Sequence, residues 1–240
     1  MALAGALIPL AVYTVNSQGK LPPWPPVRWQ ALLWAGLPLI PVAGLGLRRL
    51  GIAMGAFGLI AAGGFWQALG PYRQNQWAAT NELWLWLPAL VFASTALYGV
   101  LAWGMQRQPQ GPLRPLLLTV VLAAAAKIIA DSGSGTSAMM LGGLCFWSGG
   151  LCVLSLWRRD LPVMRGTAAH FAWVPFALLF QVKFYASLEL GPAVLLVLAL
   201  AATSTSSRSV PASLLRSLIV VGLTAAAVAL AWPEPDPMGY

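Results

Sequence analysis

An all-α, polytopic transmembrane helix bundle of about eight or nine spans is the fold that this sequence predicts. Three observations carry the expectation. Only 8% of the 240 residues are charged, against 59% hydrophobic, where a soluble domain carries roughly 25% charged residues. Apolar runs such as Leu113–Ala130 and Ala193–Ala202 approach the ~20 residues that cross a bilayer. The basic residues lie mostly in the breaks between such runs, where positive charge reports topology.

Taken in order, the spans fall near 2–15, 30–47, 50–70, 84–104, 114–131, 137–157, 169–186, 190–204 and 212–232. Each is bounded by charge or by Pro and Gly. The first run has neither a basic leading region nor a small-x-small cleavage site, so it reads as a short span or half-buried anchor rather than a signal peptide. Pro-rich 21–27 is a stiff loop. The 188–192 segment, with Glu189, Gly191 and Pro192, is a tight turn splitting an overlong apolar run. Ser/Thr-rich 202–209 reads as a flexible connection, and 233–240 as a polar tail. The organisation is therefore one transmembrane helical domain, 1–232, followed by that tail.

The net charge is +8, but the Lys and Arg residues form no basic stripe interleaved with aromatics, which excludes a nucleic-acid partner. Their distribution instead orients the chain. Arg48, Arg49, Arg107, Arg114, Arg158, Arg159, Arg165 and Arg208 collect on one side, against Lys20, Arg28 and Arg73 on the other. The first side is expected to be cytoplasmic, with the N-terminus inside and the chain in a bacterial inner membrane. Trp24, Trp29, Trp77, Trp84 and Trp86 cluster at the opposite side, where indoles favour the headgroup level.

Few side chains suit chemistry. Cys145 and Cys152 stand two helical turns apart, about 10 Å along the axis, too far for a disulfide. They read as small buried residues. The string Asp131–Ser137 lacks the Gly-Lys-Ser/Thr of a phosphate loop and has no base placed to activate a serine. It is a polar turn, with Ser or Thr capping a helix that starts near Ser137. Lys127 lies inside an apolar span, where a lysine costs on the order of 3 kcal/mol and is a functional hypothesis by default. Asp131, four residues on, shares its helix face and pairs with it. His170, the one histidine, falls at the cytoplasmic interface with Gln181 on its face. Lys183 is on the opposite face, about 19 Å further along.

The stretch 114–160 carries a family likeness. Arg114-Pro115 opens a helix containing Ala124-Ala125-Ala126-Lys127 and Asp131-Ser132-Gly133. A second helix follows with Gly142-Gly143 and Trp147, ending in Trp157-Arg158-Arg159-Asp160. This resembles the NnrU family, which includes the plant and cyanobacterial ζ-carotene isomerases. Upstream, Leu47-Arg48-Arg49-Leu50-Gly51 resembles the Arg-Leu-Gly that begins that family's second span. The resemblance implies an isoprenoid or carotenoid ligand, and heme held by histidines at the positions of Arg114 and Lys127. Guanidinium and ammonium are charged donors at neutral pH and do not replace imidazole on iron, so a divergent member without heme is expected.

The sequence thus predicts a membrane protein that binds an apolar or isoprenoid ligand, or serves as an accessory subunit of a membrane assembly. A small-solute transporter or channel component and a carotenoid isomerase-like enzyme are the alternatives. Arg114, Lys127, Asp131 and His170 are the candidate ligand-binding residues; no catalytic set and no metal site is expected, and the cofactor is unknown. The orientation is directly testable. Single cysteines at Gly166 and Gln76, placed in a background lacking Cys145 and Cys152, should react with an impermeant thiol reagent on intact cells only at Gln76. Labelling at Gly166 alone would invert the topology.

Overall fold

The computed structural model describes residues 2–22, 30–45, 49–75, 82–107, 111–157, 166–186, 188–204 and 210–232. Every regular element among them is a helix: α1 (Ala2–Asn16), α2 (Ala31–Trp34), α3 (Leu39–Ala43), α4 (Leu50–Ala68), α5 (Gly70–Asn75), α6 (Leu83–Arg107), α7 (Leu113–Asp131), α8 (Gly135–Trp157), α9 (Ala168–Tyr185), α10 (Leu190–Ala202) and α11 (Val210–Leu230). Five of these, α4, α6, α7, α8 and α11, are long and apolar enough to cross a membrane. α1 and α10 are apolar but shorter, at 15 and 13 residues. At ~1.5 Å per residue they fall below the ~30 Å of a hydrocarbon core.

The expected count of eight or nine spans is not reached: α1, α9 and α10 are not among these five, and neither is the segment 30–47. Residues 30–47 were expected as a single helix, and the described part of them forms α2 and α3, of 4 and 5 residues. The reason is local. Pro38 and Pro41 remove N–H donors from the middle of the segment, and a proline ring collides with the carbonyl of the preceding turn. Gly36 adds backbone freedom at the same place. The chain leaves α2 through turns at Ala35–Leu37 and resumes at Leu39.

The helix at the centre is α9. Every position from Ala168 to Val182 is buried, as expected of a helix apolar on all faces. Trp173, Phe176 and the stacked pair Phe57–Tyr98 build an aromatic seam with Phe65, joining α4, α6 and α9. Lipid-side positions are equally plain: Phe146, Trp157, Leu59 and Leu218 are large, apolar and exposed. Of the tryptophans expected at the headgroup level, Trp84 is exposed at the start of α6 and Trp86 packs on Phe184. Trp24, Trp29 and Trp77 lie outside the described residues, as does the 233–240 tail.

α7 and α8 form the most extensive helix pair, and small polar side chains make it close. Cys145 Sγ approaches the Thr119 carbonyl at 3.5 Å, Ser148 Oγ donates to Pro115 O at 2.9 Å, and Cys152 Sγ approaches Pro112 O at 3.5 Å. Spaced three and four residues apart, they fall on one face of α8. Both cysteines are free thiols and half-buried rather than buried as expected, because they lie at the edge of the α7–α8 contact. Their smallness serves the contact, in the way small residues bring membrane helices together.

The polar turn at 131–137 is placed as expected, with a shifted boundary. α8 begins at Gly135, two residues earlier than the sequence suggests. Gly133, at φ +86°, makes the reversal. Ser134 Oγ donates to Ser137 Oγ, which donates to Gln181 Oε1, each at 2.9 Å. A buried amide of the central helix is thereby tied to the α7–α8 turn. Segment 202–209 differs more. Thr203 and Ser204 are fully buried rather than loose, because Arg114 holds the Thr203 carbonyl. Residues 205–209 are outside the described part of the chain.

Close backbone approach at this corner gives a stability prediction. A methyl on Gly104 would be driven into the Ser204 backbone, whereas one on Gly55 meets nothing within 4 Å. Gly104→Ala should lower stability by about 1–3 kcal/mol, the usual cost of overpacking. Gly55→Ala should leave it unchanged or raise it by up to ~1 kcal/mol through helix propensity. Thermal unfolding in one detergent compares the two directly.

Candidate functional site

The four candidate residues do not converge. Arg114, in the first turn of α7, is buried. Its Nε donates to the Thr203 carbonyl at 3.1 Å and its Nη1 to the Gly104 carbonyl at 3.0 Å. Gly104 lies in the last turn of α6 and Thr203 just follows α10, so one guanidinium serves the carboxyl ends of two helices. Those ends carry orphan carbonyls and partial negative charge. The planar fork of Arg reaches both acceptors at once, which a single ammonium does not. Arg216, on α11, is a second buried arginine at this corner. No sequence signal distinguished it, because it sits inside an apolar run.

Lys127 and Asp131 lie at the opposite end of α7. Lys127 Nζ is 2.6 Å from Asp131 Oδ2, with the side chains 50% and 37% exposed. The pair is the one the sequence spacing called for, and it stands near the end of its helix, as expected. At that exposure an ion pair contributes at most about 1 kcal/mol. The ammonium also stands 5.1 Å over the Trp232 ring. Asp131 and Glu189 both line an open cleft of about 570 Å³ between α7, α10 and α11, with Trp232 at its rim.

His170 is fully buried near the amino end of α9. Its Nε2 lies 3.2 Å from the Gly36 carbonyl; the carbonyl can only accept, so this nitrogen carries the proton. Nδ1 is buried without a hydrogen-bond partner among the described residues. The imidazole is packed so closely on α1 that a methyl at Gly5 would stand 2.8 Å from its Cβ.

These contacts test the heme that the NnrU resemblance implies, and they do not fit it. The two positions given to histidines hold a guanidinium committed to two carbonyls and an ammonium paired with a carboxylate. They are separated by about 20 Å along α7. Among the described residues no group of three His, Cys, Asp or Glu side chains could hold a metal ion.

A different feature is better formed. On the outer surface of α4 and α6 an apolar groove of about 430 Å³ is lined by Leu50, Met54, Ala96, Gly99, Val100 and Trp103, with Ser204 beside them. It exists because Gly99 and Ala96 present almost no side chain where Met54 and Trp103 flank them. Ser204 is fully buried, and its Oγ has no hydrogen-bond partner among the described residues. Sequence reasoning missed this groove. Its residues come from three helices' worth of chain, and each alone is an ordinary lipid-span residue.

The Arg114 bridge is testable by itself. Arg114→Met should orphan two carbonyls and cost about 2 kcal/mol or more, at ~1 kcal/mol or more per buried unsatisfied group. Arg114→Lys should recover less than half, since one ammonium does not span both acceptors. Recovery to wild-type melting by Lys would show that charge alone, not the fork, matters there.

Searches against family models, curated proteins and solved structures return no match to this chain.

Proposed function

We propose that the protein is an integral membrane protein that binds an apolar chain drawn from the surrounding bilayer. The groove between α4 and α6 is the observation that carries this reading. It is apolar and open to the outside of the bundle, and Ala96 to Trp103 spans about 10 Å along α6. Ligand sites are mostly apolar hollows, and the lining here is almost wholly apolar. The reading is of a protein in a bacterial inner membrane with its arginine-bearing ends cytoplasmic, supported by the asymmetry of basic residues. The likeness of 114–160 to the NnrU family supports an isoprenoid-class chain as ligand. No heme-dependent isomerase step is part of the proposal, since Arg114 and Lys127 are occupied otherwise.

The test is what accompanies the purified protein. Extraction in a mild detergent, an absorption spectrum and mass analysis of retained lipids should reveal a chain-bearing molecule near one per protein. Ala96→Trp, which fills the groove from its rim, should release it. A Soret band would restore the heme enzyme. A stoichiometric protein partner with no enriched lipid would favour the accessory-subunit reading instead.

A further inference from the structure

The end of the bundle opposite the Arg114 corner holds a second hollow, of different chemistry. α6 and α10 finish at that corner and α7 begins there, so Glu82, Asp131 and Glu189, the acidic residues of the described segments, all lie at the other end. Asp131 and Glu189 line the open cleft of about 570 Å³ between α7, α10 and α11, a volume within the ~300–1,000 Å³ of small-molecule sites. Ile128, Leu188 and Pro192 give it an apolar wall packed into the bundle, and Trp232, 63% exposed, stands at its rim. An ammonium group already rests here. Lys127 Nζ is 2.6 Å from Asp131 Oδ2 and 5.1 Å from the centroid of the Trp232 ring, on the two kinds of group that attract organic cations. That contact, made by the chain's own amine, is an independent sign of what the cleft accepts. Glu189 is the second carboxylate. It is exposed, its side chain does not cap α10, and it makes no ion pair among the described residues. Two carboxylates thus stand against one ammonium, a shortfall of one positive charge.

We propose that this cleft binds an organic cation, a protonated amine carried on an apolar body. The ammonium pairs with Glu189 beside the Trp232 indole, and the apolar body lies against Ile128, Leu188 and Pro192. Charge selects this class. An anion would meet two carboxylates, and a neutral chain would leave Glu189 unanswered. A bare divalent metal ion takes six or more oxygen ligands when it is hard, and no group of three His, Cys, Asp or Glu side chains among the described residues could hold one. Lys127 competes with the ligand for the indole and for Asp131, so an apolar residue in its place favours binding. Two sources carry the ammonium group, a free amphipathic amine and the head of phosphatidylethanolamine, and its chemistry is common to both. The proposal is independent of the α4–α6 groove, whose lining shares no residue with this cleft.

The experiment titrates the full chain in a non-ionic detergent with phenylbutylamine, phenylbutanol and phenylbutyrate at neutral pH, read by calorimetry. The amine should saturate one site and bind about fivefold or more tightly than the alcohol, and the carboxylate should not bind. Glu189→Gln should weaken the amine about fivefold and leave the alcohol as it was. Glu82→Gln, which removes an exposed acid of the same end outside the cleft, should change neither. Lys127→Met should tighten the amine about fivefold, and Lys20→Met should not. Ala229→Trp, at an exposed lining position, should remove the site, with Ser132→Trp as the second variant if the first does not fold; Ala96→Trp should leave it intact. Competition by dioleoyl phosphatidylethanolamine would assign the ammonium to a lipid head, and failure to compete would assign it to a free amine; the site stands in both cases. It is overturned if the alcohol binds as tightly as the amine, if Glu82→Gln costs as much as Glu189→Gln, or if no titration shows a site sensitive to Ala229→Trp or Ser132→Trp.

Discussion

The architecture depends on one requirement: peptide groups inside an apolar bundle need partners that water cannot provide. The break between α2 and α3 is where the requirement bites. A helix interrupted by Pro38 and Pro41 leaves carbonyls without intrahelical donors, and two side chains of α9 answer them. Trp173 Nε1 donates to Leu32 O at 2.9 Å, and His170 Nε2 to Gly36 O at 3.2 Å. Both donors are rigid aromatic groups on a helix buried from Ala168 to Val182. The broken segment is thus held to the centre of the protein by its own exposed backbone.

The same solution recurs at other helix ends. Tyr185 Oη donates to the Ala68 carbonyl at 2.6 Å where α4 finishes, and Arg114 serves the ends of α6 and α10. In a soluble protein such carbonyls face water. Here a neighbouring helix supplies a long polar side chain that reaches the terminus while its stem packs in the apolar layer. Several polar residues that would suggest chemistry in a soluble enzyme, His170 and Arg114 among them, are engaged in holding backbone. Their burial reflects the missing solvent.

What is left for function is on the outside of the bundle. Small residues on α6 and the bulk of Trp103 and Met54 leave a hollow open to the outside. Ser204, buried at the corner that Arg114 ties together, lies beside it.

The sequence by itself determined the material of the fold. Apolar runs set the places of α4, α6, α7, α8 and α11, because a segment that cannot be solvated has to be buried or face lipid. Spacing alone paired Lys127 with Asp131 and kept Cys145 and Cys152 from bridging, since both follow from the rise and turn of one helix. Tertiary structure decided everything that joins residues far apart in the chain. Hydropathy registered 30–47 as a span because it sums apolarity and overlooks two prolines; only the donors on α9 make the break tolerable. His170 and Arg114 looked alike as isolated polar residues, and their roles emerged from carbonyls 134 and 89 or fewer positions away. The groove was invisible for the same reason: a hollow is a relation between helices, and no residue in it is unusual alone.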